Sequence, residues 1–324
     1  MSKKILAKTE GMLREEWLAL RKQGIGGSDA AAACGLSRWK SPLGLWLEKT
    51  SSDTQSVYNE AMFWGTTLEP VIRDVFSTKI GKVVEVMPYI FQSEDYPFMI
   101  ADIDGIIRED DGSVSLVEIK TVSAFKAGEW ADGLPAEYYI QIQHYLAVCE
   151  LPRAYVVYLI GGNELHYELV ERDEETISTI IMLESAFWDK VVRRQKPDVD
   201  ENSAEALDQL YPASNKTSII LPDEADKLLD DYMAIKAIED DVKKQKNLLE
   251  NQLKSMLGEA ECAKSRNGFS VSWKEAVSTR LDTAALKKEQ PDLVAKYTVR
   301  SCYRRFSVYK PKNNTESYIY RPHH

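Results

Sequence analysis

Hydrophobic residues along the chain repeat at every second position in some stretches and at every third or fourth in others. These switches of period predict interleaved strands and helices. The sharpest strand signal is Leu116-Val-Glu-Ile-Lys120, which alternates as a strand with one buried face. A polar turn, Arg108-Glu-Asp-Asp-Gly-Ser113, joins it to a strand running through Ile100-Ala-Asp-Ile-Asp-Gly-Ile-Ile107. Helical spacing covers residues 10–22, with Met12, Trp17 and Leu20 near one face and Leu13 beside it. An alanine-rich helix follows Gly24-Ile-Gly-Gly-Ser-Asp29, and another follows Ser37-Arg-Trp-Lys-Ser-Pro42, with Trp39 and Trp46 expected in the core. Residues 58–79 predict a long amphipathic helix in which Pro70 marks a start or a kink. Strand pattern returns over residues 81–91, and the polar residues 121–135 predict a mobile loop. A helix over 136–149 puts Tyr138, Gln141 and Tyr145 on one stripe. A hairpin over 154–170 holds His166 in a structural place, and a helix over 174–193 turns Ile180, Leu183, Phe187, Trp188 and Val191 inward.

The pattern breaks at the polar, helix-poor Arg194-Gln-Lys-Pro-Asp-Val-Asp-Glu-Asn-Ser203. This divides the chain into a domain over 1–195, a linker over 196–222 and a C-terminal extension over 223–324. The extension opens with a charged helix over 223–257, whose Leu229, Met233, Ile238, Val242, Leu249, Leu253 and Met256 fall near heptad spacing, as in a protruding or coiled helix. Residues 259–310 then turn basic, with a strand at Gly268-Phe-Ser-Val-Ser-Trp-Lys274. Basic and aromatic residues interleave in Arg300-Ser-Cys-Tyr-Arg-Arg-Phe-Ser-Val-Tyr-Lys310. That interleaving suits backbone neutralisation with base stacking, and equally an edge strand with a basic face. The tail from Pro311, ending in His323-His324, reads as loose.

Composition narrows the function classes. The 324 residues hold no apolar run long enough for a membrane helix, and the N-terminus lacks the apolar core of a signal peptide. Four scattered cysteines without a CxxC pair suit a reducing cytoplasm and argue against a zinc or iron–sulfur centre. The formal net charge of −10 argues against a protein that coats nucleic acid non-specifically. It leaves room for a small positive channel in an acidic exterior, because binding responds to the local field.

Candidate chemistry gathers on the hairpin. Glu118 and Lys120 are two apart and share a face, and the hairpin brings Asp104 to that face. Paired carboxylates at a strand end form a hard oxygen site suited to Mg2+. A lysine beside them can hold or activate the water that attacks a phosphate. Such charges also occur on ordinary solvated hairpins. Asp102 would share the face, so spacing leaves the ligand open between it and Asp104; the glycine after Asp104 favours the latter. The glycine-rich turn before Ser28 offers backbone N–H groups to an anion. Ser28 can add a hydroxyl, and Arg21 a bidentate phosphate contact. Ser28 or Asp29 equally suits a helix cap, and no Gly-Lys-Ser/Thr follows to make a Walker loop. Gln141 can reach a bound water or phosphate, or be a solvated helix residue. Glu69 can point inward or to solvent.

Taken in order, Trp17…Arg21…Gly-Ile-Gly-Gly-Ser28-Asp, Gly65-Thr-Thr-Leu-Glu69-Pro, Asp104-Gly, Glu118-Ile-Lys120 and Gln141-Ile-Gln143 resemble the lambda exonuclease or YqaJ-type viral recombinase nucleases of the PD-(D/E)xK superfamily. The match spans roughly residues 10–193. The resemblance implies an α/β (α+β) chain with a restriction-endonuclease-like core, its central mixed sheet flanked by helices. It implies that Asp104, Glu118 and the Ile119 carbonyl ligate two Mg2+ ions, which Mn2+ could replace, and that Glu69 completes the site. Lys120 is similar to the lysine that positions the nucleophilic water, and Gln141 to the glutamine that assists it. Arg21 and Ser28 are similar to a pocket for a terminal 5′-phosphate, with Trp17 and Tyr138 among the DNA contacts. The implied activity is a 5′→3′ exonuclease on duplex ends that leaves 3′ single strands for recombination. The implied partners are a single-strand annealing protein and two further copies in a ring-shaped homotrimer, in the cytoplasm of a bacterial host. Two alternatives stand beside it: a structure-selective endonuclease on the same fold, and a non-catalytic DNA-binding recombination adaptor.

Overall fold

The computed structural model describes residues 3–51 and 59–309. The expected start of the long helix at residue 58 and the tail from Pro311, with its histidine pair, lie outside these. Two compact units emerge: the first extends to Leu210 and the second begins at Tyr211.

The first unit opens with β1 (Lys3–Lys8), α1 (Arg14–Arg21), β2 (Ile25–Gly26), α2 (Gly27–Ala33), α3 (Pro42–Thr50) and α4 (Glu60–Ile80). Short strands follow: β3 (Val84–Glu85), β4 (Tyr89–Ser93), β5 (Met99–Asp102) and β6 (Gly105–Arg108). Then come β7 (Val114–Val122), α5 (Ala136–Cys149), β8 (Arg153–Ile160), β9 (Glu164–Glu171), α6 (Glu174–Val192) and α7 (Ala204–Leu210). One sheet has the order β1-β4-β5-β2, and a five-stranded sheet has the order β3-β6-β7-β8-β9. The larger sheet is mixed: β7 and β8 run parallel, and its other pairs are antiparallel. The fold is thus α/β with mixed sheets flanked by helices.

The hairpin differs from its expected form in two ways. The stretch before the turn is two strands, since β5 and β6 belong to different sheets. Ile103 and Asp104 form the break between them. Gly105 begins β6 where a Cβ would stand 2.8 Å from Val84 Cγ1 and 3.0 Å from the Glu85 carbonyl oxygen, so no side chain fits there. The second difference is that β7 is buried on both faces. Leu116 packs with Ile142 and Leu146 of α5, while Val117 and Ile119 pack with Ile72 and Phe76 of α4. A strand covered by helices on both sides loses strict alternation.

Two further expectations are corrected, and one strand is added. Residues 121–135 are not an open loop: β7 extends to Val122, a short 3-10 helix spans Ala124–Trp130, and Trp130 packs on Tyr138 and Tyr158. Trp46 is in the core but Trp39 is exposed, with the Lys126 ammonium 3.8 Å from its ring centre. The N-terminal residues form β1, which the sequence pattern did not predict; it pairs antiparallel with β4.

The second unit contains α8 (Glu224–Leu257), the hairpin β10 (Cys262–Lys264) with β11 (Ser270–Ser272), α9 (Thr283–Glu289) and α10 (Pro291–Tyr297). The basic–aromatic stretch 300–309 has no regular secondary structure, so it is not an edge strand. No helix among the described residues is long and apolar enough to cross a membrane.

Candidate active site

A cleft of about 920 Å³ opens where the break between β5 and β6 meets β7, α1, α4 and α5. Trp17, Arg21, Ser28, Glu69, Asp104, Glu118, Lys120 and Gln141 all line it, together with Asp102 and Tyr145. Segments spread over more than a hundred positions of sequence therefore converge on one cavity. Tyr138 and Ile119 do not line it. The Tyr138 ring lies 5.2 Å from the Lys120 ammonium and stacks against Trp130, so it backs the lysine. Ile119 points to the α4 side, and its amide donates to Asp104 Oδ2 at 2.7 Å.

Lys120 is the hub of the cleft floor. Its Nζ donates to Glu118 Oε1 at 2.7 Å and to Gln141 Oε1 at 3.0 Å. Gln141 Nε2 donates in turn to the same Glu118 oxygen at 2.6 Å, closing a three-membered network. Gln141 is buried, so it is not the solvated helix residue that its spacing also allowed. Burial disfavours the charged lysine, but the neighbouring Glu118 and Asp104 outweigh it and raise its pKa. The lysine thus stays an ammonium donor. It can hold a water oxygen or steady a developing negative charge.

The carboxylates are under electrostatic stress. Burial first, then the charges of Glu118 and Glu69, push Asp104 well above the usual range. Burial likewise raises Glu118 and Glu69, against the opposing pull of Lys120 on the first and Arg73 on the second. Among the described residues, no three His, Cys, Asp or Glu side chains form a preassembled metal cage. Glu69 is paired with Arg73 of its own helix, and Asp102 accepts the Trp17 indole N–H at 2.7 Å. Glu118 Oε2, however, is buried without a hydrogen-bond partner. Mutually repelling, all-oxygen donors with one orphaned oxygen fit a hard divalent cation.

The opposite wall is built on Asp29. This buried carboxylate accepts from Arg21 Nη2 and from Lys49 Nζ, each at 2.8 Å. Burial alone would raise Asp29, but the charges of Arg21 and Lys49 hold it far below the usual carboxylate range. Asp29 is therefore neither a solvent charge nor the helix cap; the cap position of α2 is Gly26. Arg21 also donates to the exposed Ser28 hydroxyl at 2.6 Å and lies 4.9 Å from the Trp17 ring centre. The Arg21 guanidinium, held beside an exposed hydroxyl on the cleft, suits an anion. The double glycine makes this geometry possible. A Cβ on Gly26 would meet Arg21 Nη2 at 3.2 Å, and one on Gly27 would meet the Tyr145 ring at 2.4 Å.

Sequence patterns did not point to Lys49 or Arg73 as part of this arrangement, and placed Tyr145 only on the helical stripe of Gln141. Only the Trp17–Arg21 spacing of one helical turn and the Gly26–Gly27 pair carried a usable signal.

The full length of the chain has a close counterpart. It is 38% identical over 315 residues to the Bacillus subtilis (strain 168) protein YqaJ, covering 94% of this chain and 97% of that one. The profile of the YqaJ-like viral recombinase domain matches residues 16–152, the span from Trp17 through Gln141. The chain belongs to the YqaJ-like viral recombinase family. Among solved structures it is similar to an alkaline exonuclease from Laribacter hongkongensis, at 23% identity and TM-score 0.49, over 61% of this chain and 100% of that one. It is also similar to a phage-related exonuclease from Haemophilus somnus 129PT, at 12% identity and TM-score 0.40, over 55% and 99%.

Proposed function

We propose that the cleft hydrolyses phosphodiester bonds of duplex DNA, as a Mg2+-dependent 5′→3′ exonuclease acting from free ends. The observation that carries this reading is the pairing of the Lys120–Glu118–Gln141 network with a separate anion pocket at Arg21 and Ser28, both on one cleft. An exonuclease needs both a reacting centre and a grip on the terminal phosphate. Family membership adds to it.

Five carboxylates and three basic residues line the cleft. A polyanion entering it meets net repulsion unless cations accompany it. Asp104 and Glu118, with the Ile119 carbonyl and Glu69, would hold the Mg2+. When bound, it would polarise the scissile phosphate and make its water more acidic. Lys120 then holds the attacking water through its ammonium, and Gln141 fixes the lysine and Glu118 in register. Arg21 and Ser28 take the terminal 5′-phosphate, and the Trp17 ring supports Arg21. Trp17 also donates to Asp102, which joins the two ends of the cleft through one indole. The product would be a 3′ single strand for a single-strand annealing protein, and a ring-shaped homotrimer would keep hold of the duplex.

Linear duplex DNA labelled at one 5′ end, phosphorylated or not, tests this with Mg2+, with chelator and against closed circular duplex. Mononucleotide release from phosphorylated ends, with the circle intact, is expected. Cutting of the circle would point to an endonuclease. Binding without cleavage in Mg2+ or Mn2+ would point to an adaptor.

A further inference from the structure

The α8 helix has a surface its own unit does not cover. Leu228, Ile235, Val242, Leu249 and Met256 recur every seven residues along its 34-residue length, and each is between 58% and 82% exposed. Leu229 and Met233, on a neighbouring face, are half-buried within the unit. A seven-residue apolar repeat on a helix of about 50 Å supplies one of the two core positions of a coiled-coil heptad; the other is held by Asp231, Ile238, Gln245 and Gln252.

The distribution of charge along the helix suits a second copy of it as the occupant. About Val242 the repeat is symmetric under reversal: Leu228 would face Met256, Ile235 would face Leu249, and Val242 would face itself. Charge follows the same symmetry. Residues 224–241 hold seven acidic and two basic side chains, whereas 242–257 hold four basic and one acidic. Two such helices side by side in opposite directions set each acidic half against a basic one, and oppose their helix dipoles favourably. Glu239 then flanks Lys246 of the other copy, which in its own chain makes an exposed 3.7 Å contact with Glu250. A parallel in-register pair would instead face acidic half to acidic half and place Asp231 against Asp231 in the seam.

We propose that α8 is a self-association element in which two copies of this chain pair antiparallel about Val242. This interface is independent of the nuclease assignment. If catalytic units also form rings, it would join one ring to another.

Site-directed crosslinking of the full chain tests orientation and occupant together, with the exposed Cys262 and Cys302 replaced by serine. A short thiol crosslinker should link Val242→Cys to itself, and Ile235→Cys to Leu249→Cys in a mixture, but neither of these last two to itself. Sedimentation should show a two-fold fall in assembly mass for Val242→Glu and for Ile235→Glu, with helical circular dichroism retained. Self-linking of Ile235→Cys would overturn the antiparallel arrangement. No linking in the mixture, or an unchanged mass in both glutamate variants, would overturn self-association and leave the stripe to another part of the chain or another protein.

Discussion

Asp29→Asn removes the carboxylate that is hydrogen-bonded to both cations at the anion pocket. The Asp29 and Lys49 side chains are only 5% and 1% exposed, so water cannot replace the lost partner. Deleting one member of a buried ion pair costs about 3–5 kcal/mol, because the other charge stays buried and uncompensated. For a unit of this size, extending to Leu210, each kcal/mol moves the melting temperature by about 2–4 °C, so a fall of about 6–20 °C is expected. Lys49→Met leaves Asp29 paired with Arg21 and should lose less. The sign with pH also follows. Asp29 has a depressed pKa in the folded chain. Its contribution is present above the unfolded value and is lost as pH falls below about 4. The gap between wild type and Asp29→Asn, read by thermal and urea unfolding, should hold from pH 6 to 8 and narrow below about pH 4. A melting temperature within about 2 °C of wild type at pH 7, or a gap that does not narrow in acid, would refute the reasoning.

Gly27→Ala forces a Cβ to within 2.4 Å of the Tyr145 ring; an overpacking cost of about 1–3 kcal/mol is expected, and shortening Tyr145 to leucine should recover part of it, so no recovery would assign the loss elsewhere. The buried His144 donates from Nε2 to the Ile100 carbonyl, and its Nδ1 is hydrogen-bonded with Glu184 Oε1 at 2.8 Å. Burial opposes the charge on His144, but Glu184 raises its pKa, so its stabilisation is full below about pH 6.5 and declines as pH rises through the folded value. His144→Gln should flatten that decline in urea midpoints between pH 6 and 9, and parallel slopes would contradict it. Arg21→Ala or Ser28→Ala should cut the preference for 5′-phosphate over 5′-hydroxyl ends by about tenfold or more, the worth of a hydrogen bond to a charged group; an unchanged ratio would make both residues structural.

The hairpin turn, the single-face placement of Glu118 and Lys120, and the 136–149 helix were legible because local periodicity alone determines them. What periodicity could not show was partnership. Asp29 looks like a cap until Lys49, twenty residues on, is seen against it. Glu184 occupies a buried position of α6 that an apolar stripe would have filled, and only His144 of α5 explains it. The break at Asp104 was missed although Asp104-Gly105 is a turn-type dipeptide, because the β-formers Ile100, Ile103, Ile106 and Ile107 around it read as one strand; the close approach of Val84 and Glu85 to Gly105 is a tertiary constraint. Trp39 was misplaced for the converse reason, since an indole can lie under Arg38 and Lys126 on the surface as stably as in a core.

The central claim is that the cleft is a nuclease centre with Lys120 at its floor. The most direct measurement compares wild type and Lys120→Ala on 5′-phosphorylated linear duplex in Mg2+, with DNA affinity measured on the same preparations. Cleavage should fall by at least about a hundredfold, the lower end of what a positioned proton-handling side chain contributes, while affinity stays within about twofold of wild type because Lys120 takes no part in the Arg21–Ser28 anion pocket. Full cleavage by Lys120→Ala would contradict the account.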